Sequence, residues 1–149
     1  MKRVFLWALL GMVMMSFTGC KDDGPQNEKS IYLTVNSNEW KFDKDLQQFY
    51  AHFNIPEISS NAYNYGNYSV YRVYNVETPN EYQVALPETT YLIEVYTDEE
   101  SGEKYEYYYQ QHVNYRVGFG YVEIQVTNSD YMYAPENPER MDFHLQLLW

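Results

Sequence analysis

The chain has 149 residues, a net charge of −11, 18 tyrosines and one cysteine. The acidic balance argues against nucleic acid, whose phosphates need Lys and Arg for neutralisation, and against adsorption to anionic lipid through a basic patch. One cysteine excludes an intramolecular disulfide, and the aromatic content argues against disorder.

The first element is a leader. Lys2 and Arg3 precede an apolar run from Val4 to Met15, broken only by Gly11, and the small residues Ser16, Thr18 and Gly19 follow. This three-part order is that of a secretory signal peptide over residues 1–19. The run is shorter than the roughly 20 residues that a membrane-crossing helix needs. Phe17-Thr18-Gly19-Cys20 resembles a bacterial lipobox, with Phe17 where leucine is commoner. The resemblance implies cleavage before Cys20 and lipidation of its thiol, so the membrane is reached through a lipid anchor. Several acyl chains on one residue anchor durably where a single chain does not. Lys21, Asp22 and Asp23 resemble the surface-export signal of Bacteroidota lipoproteins; a solvated linker would use the same residue types. Localisation follows as an expectation: outer membrane, facing the exterior. Residues 20–30, polar and carrying Gly24 and Pro25, read as a tether, and 31–149 as one domain.

From residue 31, period-two alternation dominates. Ile31, Leu33 and Val35 share one phase, as do Phe49, Ala51, Phe53 and Ile55. Residues 68–76 are apolar on both phases, as in a central strand. Tyr82, Val84 and Leu86 alternate, and so do Tyr91, Ile93 and Val95. Residues 97–104 read as a turn, by Gly102 and its acids. A long returning strand runs from Tyr105 through Val117, and Gly118 and Gly120 break it. Val122, Ile124 and Val126 form the next strand, residues 128–140 a loop, and Met141 to Trp149 the last strand. Single helical turns are expected at 44–49 and 57–63. About eight strands with regular turn signals predict an all-β antiparallel sandwich, of immunoglobulin-like or related topology. Trp40 is expected to plug one end of the core.

The stretch "NEWKFDKDLQQFYAHFNIPEIS" followed by "GNYSVYRVYN" is similar to small uncharacterised Bacteroidota lipoproteins, which implies no activity.

Catalytic and metal signals are sparse. His52, His112 and His144 form no metal-ligand spacing, and there is no GxSxG elbow. No cofactor is expected. Glu94 and Glu123 sit amid apolar strands but read as outward-facing. The acids Asp98, Glu99, Glu100 and Glu103 could clasp Ca²⁺ through oxygen, yet they lack EF-hand spacing and suit a solvated hairpin tip. Tyr32, Tyr50, Tyr96, Tyr108 and Tyr121 fall on polar phases. If they share a face they form an aromatic platform for a glycan or an envelope protein; otherwise they are ordinary sheet-surface tyrosines. The sequence-level expectation is a non-catalytic binding protein. The alternatives are an assembly component associating through strand edges and, more remotely, a small hydrolase.

Overall fold

The computed structural model describes residues 27–129 and 137–149. The signal peptide, Cys20 and Lys21 to Asp23 lie outside the described residues.

Two antiparallel sheets face one another. The first contains β1 (Glu28–Val35), β9 (Met141–Leu148), β4 (Asn67–Tyr74) and β5 (Tyr82–Ala85), in that order. The second contains β2 (Lys41–Asp43), β3 (Gln48–Asn54), β8 (Tyr121–Asn128), β7 (Lys104–Gly118) and β6 (Glu88–Thr97). Among the described residues there is one α-helix, α1 (Ser60–Tyr65), capped by Ser59, whose hydroxyl accepts from the Ala62 N–H. The all-β sandwich expected from alternation is the observed fold.

Of the two topologies left open, this is the related one. In the immunoglobulin order the last strand lies in the sheet opposite the first. Here β9 sits inside the four-stranded sheet, between β1 and β4. The expected tether also ends earlier than residue 30. Glu28, Lys29 and Ser30 pair with Leu148, Leu147 and Gln146, so β1 begins before its apolar alternation does. The turn expected at 57–63 appears as α1, shifted toward the C-terminus. Residues 44–47 form a turn without a helix, and β3 already begins at Gln48.

The core is where the inward phases meet. Leu33, Val35, Val70, Phe143, Leu145 and Leu147 project from the four-stranded sheet. Phe49, Ala51, Val113, Val122, Ile124 and Val126 answer them from the other. Trp40 closes one end as expected, buried, with its indole N–H donating to the Glu139 carbonyl at 3.3 Å. The β7–β8 hairpin turns through Phe119 and Gly120. Gly120 has φ +78°, a conformation glycine adopts without steric cost. The Tyr121 ring lies over Gly118, in space that any Cβ there would fill.

Candidate functional site

Three surfaces carry side-chain chemistry.

The first is the outer face of the four-stranded sheet. Ser30, His144 and Gln83 come from β1, β9 and β5. His144 Nε2 is 2.5 Å from Ser30 Oγ, and its Nδ1 is 3.0 Å from Gln83 Oε1. The amide oxygen can only accept, so Nδ1 carries hydrogen. The imidazole stacks on Tyr32 at 4.5 Å and 5°, and Tyr71 packs from the other side at 6.1 Å. The result is a buried histidine on an outward phase. A serine–histidine contact is also nucleophile–base geometry. Here, however, it lies on a sheet face under two tyrosine rings, and its connectivity ties three strands together.

The second lies between the sheets. Arg72 and Tyr74 on β4 point inward toward Glu88 at the start of β6. Arg72 Nη1 is 3.7 Å from Glu88 Oε2, and the Tyr74 hydroxyl donates to Oε1 at 2.7 Å. The guanidinium also sits 4.6 Å from the centre of the Tyr74 ring, which stacks on Tyr82 at 4.9 Å. Glu88 Oε2 is buried with no hydrogen-bond partner among the described residues. Burial first, and then the bond to Glu88, push the Tyr74 hydroxyl up to about 12. An unfolded tyrosine ionises near 10. The native state therefore holds this proton more tightly, a stabilisation complete below pH 10 and lost as pH rises through 12. We expect the 295-nm tyrosinate titration of Tyr74→Phe to lose one of its most alkaline steps. An unchanged high-pH limb would contradict this assignment. Beside the cluster is a polar cleft of about 500 Å³, lined by Arg72, Tyr74, Glu77, Arg140 and Asp142 among others. Asp142 Oδ1 there already accepts from Thr34 at 2.6 Å and Arg140 at 2.9 Å.

The third is the β6–β7 hairpin. β8 pairs with β7 only from Gln111 to Gly118. Beyond that point Tyr91 to Thr97 and Lys104 to Gln110 continue as a two-stranded ribbon. Register sorts its side chains. Tyr91, Ile93, Val95 and Tyr108 share one face, and Leu92, Tyr96, Tyr105, Tyr107 and Tyr109 the other. Both faces are open: Tyr91 is 73% and Tyr108 61% exposed on the first, Tyr105 54% and Tyr107 41% on the second. Three tyrosine hydroxyls donate to the carboxylate two residues earlier on the same side, Tyr96 to Glu94, Tyr105 to Glu103 and Tyr108 to Glu106, at 2.7, 2.7 and 2.6 Å. Those bonds to a carboxylate raise the pKa of Tyr105 and of Tyr108.

The five-tyrosine platform does not assemble. Tyr50, Tyr108 and Tyr121 lie on the outer face of the five-stranded sheet. Tyr96 is on that sheet's opposite face, and Tyr32 is on the other sheet. Alternation defines the polar phase of each strand by itself, and pairing register alone decides whether two phases meet. Tyr121 stacks on His52 at 4.7 Å, so part of its ring is already covered.

The acid candidates separate as well. Asp98 Oδ1 closes the hairpin tip, accepting from the backbone N–H groups of Glu100 and Ser101 and from the Ser101 hydroxyl. These bonds hold the carboxyl below its ordinary range. Asp98 thus caps the turn, and Glu99, Glu100 and Glu103 are exposed around it. Among the described residues no group of three His, Cys, Asp or Glu could hold a metal ion. Glu123 faces outward as expected, yet it is buried beneath its neighbours. Arg116 Nη2 and Gln125 Nε2 each donate to its Oε1 at 2.9 Å. Glu94, expected to face outward, instead shares the core-facing phase of β6 with Leu92, and is exposed because the ribbon has run past the core. His112 remains exposed on the outward phase, bonded to the Thr89 hydroxyl at 3.0 Å.

No protein-family model, no curated protein and no solved structure matches the chain. Among the described residues no helix is long and apolar enough to cross a membrane.

Proposed function

We propose that this protein is a lipid-anchored component of the cell envelope, displayed at the surface, with a non-catalytic role in binding a protein partner. The anchor reading rests on the leader and Cys20; the display reading rests on Lys21, Asp22 and Asp23. The observation that carries the binding reading is the β6–β7 ribbon. A two-stranded hairpin alone is marginal in water, and apolar side chains open on both faces call for a cover. A glycan is the weaker occupant, because the platform that would have stacked on sugar rings is divided among three faces.

Cys20→Ala tests the anchor. The expected result is uncleaved precursor, or protein released to the soluble fraction; unchanged membrane fractionation would sink the lipoprotein reading. Protease shaving of intact cells tests display, with digestion expected on cells that have not been lysed. Tyr91→Ser with Tyr108→Ser tests the ribbon. The pair should fold as the parent does and lose its crosslinked partner in pull-down from intact cells.

A further inference from the structure

The strand edges of this sandwich are not alike. β2 has three residues, with Lys41 and Asp43 at its ends. β5 has four and runs into Leu86 and Pro87. β1 opens on Glu28 and Lys29. Short length, charge and proline are the usual means of blunting an edge. β6 has none of these between Thr89 and Thr97. It is ten residues long, rich in β-branched and aromatic residues, and Glu94 is its one charge in that span. Among the described residues it pairs with β7 alone.

Its sequence is also close to symmetric. The outward phase reads Thr89, Tyr91, Ile93, Val95, Thr97, centred on Ile93. A two-fold axis through Ile93, normal to the sheet, sets Tyr91 against Val95 and Thr89 against Thr97. Such self-complementarity is what a two-fold interface between identical chains requires. On the other phase Leu92 meets Glu94, so the two glutamates are offset and do not face each other.

Charge decides the direction of pairing. Each hairpin tip carries Asp98, Glu99, Glu100 and Glu103, on a chain of net charge −11. Parallel pairing would bring the tips together. Antiparallel pairing about Ile93 puts Asp98 of one copy about ten residues, or roughly 34 Å, from its counterpart. That is several times the Debye length of about 8 Å at physiological ionic strength.

We propose that the β6 edge pairs antiparallel with β6 of a second copy of this chain, centred on Ile93, joining two five-stranded sheets into one. The exposed row Tyr91, Ile93 and Val95 then packs against its own mate. This rests on the ribbon reading above and names its occupant.

Ile93→Cys in the full-length protein, oxidised with copper phenanthroline in isolated membranes, tests it. Directly opposed residues in an antiparallel pair have Cα atoms about 4.5 or 5.5 Å apart, and either spacing admits a disulfide. We expect a band of twice the monomer mass on non-reducing gels, at both 0.05 and 0.5 M NaCl. The parent chain, whose one cysteine is Cys20, and Tyr63→Cys, an exposed position on α1, should not give it. Val95→Lys in the Ile93→Cys background should abolish it while leaving the circular dichroism spectrum unchanged. An adduct of another mass overturns the second copy but keeps the ribbon as a binding surface, and loss of that adduct at high salt would mark a basic partner. No adduct of any mass overturns the second copy; because a partner without a cysteine opposite Ile93 forms no disulfide, the ribbon reading is overturned instead by an unchanged partner in the Tyr91→Ser, Tyr108→Ser pull-down.

Discussion

Replacing Phe143 with alanine lowers the unfolding free energy by about 3–5 kcal/mol, with an unchanged denaturant slope in urea. Phe143 is fully buried, at 0% exposure, on the central strand β9. Its backbone is held on both sides, by Leu33 of β1 and by Arg72 of β4. The second sheet closes over its ring. Neighbours fixed by two ladders and an opposing sheet cannot collapse into the space left behind, so the cavity cost adds to the lost transfer free energy. Domains of this size are stable by about 5–15 kcal/mol in total, so the variant should be partly unfolded at moderate temperature. Phe119→Ala is the contrast. That ring is 63% exposed at the β7–β8 turn, and its loss should stay within about 0.5 kcal/mol. Equal effects at the two positions would mean that the two inward phases do not form one packed layer.

Arg72→Met should cost about 3 kcal/mol, though it exchanges a charge for an apolar side chain of similar length. The loss arises at Glu88. Its carboxylate lies between the sheets with Oε2 already lacking a hydrogen-bond partner, and Arg72 is the cation facing it. Removing the arginine leaves a buried charge with the Tyr74 hydroxyl on one oxygen and no counter-ion. Adding Glu88→Gln to Arg72→Met should therefore recover stability, and a double-mutant cycle in urea should show coupling well above 0.5 kcal/mol. If the second substitution recovers nothing, the arginine contributes through packing of its stem and its contact with Tyr74.

The layered β architecture was legible because period two is strong wherever a strand has one wet and one dry face. β3, β8 and β9 show it cleanly, and the long returning strand from Tyr105 is observed as β7. The hairpin that matters most was harder to read. Residues 91–96 carry apolar side chains on both phases, interrupted only by Glu94, which ordinarily marks a strand covered on both sides. Here the same pattern lies on a ribbon covered on neither, because β8 ends before β7 does, and where a neighbouring strand stops is not written in the strand beside it. The Glu-x-Tyr spacing at 94–96, 103–105 and 106–108 carries a signal of its own, because two residues on a strand is the distance at which a phenol reaches a carboxylate on its own side. His144 alternates with Phe143 and Leu145, so the sequence puts it on the polar phase of the last strand. Its burial depends on Tyr32 and Tyr71, which come from two other strands and meet it only through register.

The placement of β9 has a consequence for how the chain reaches this shape. Asn27 and Trp149, 122 residues apart in sequence, exchange backbone hydrogen bonds at 2.9 and 3.1 Å. β9 is the strand that both β1 and β4 pair with. While the chain is emerging from its N-terminal end, the hairpins β2–β3, β4–β5 and β6–β7–β8 can close on themselves, but β1 has no partner and β4 lacks its second. Two of the four strands in one sheet, β1 and β4, are therefore left without their shared neighbour until residues 141–148 arrive. Folding dominated by such distant pairings is slow. The apolar phase of β1 is the first part of the domain to be made and among the last to be covered, which makes this interval the one in which the chain depends most on protection from its surroundings.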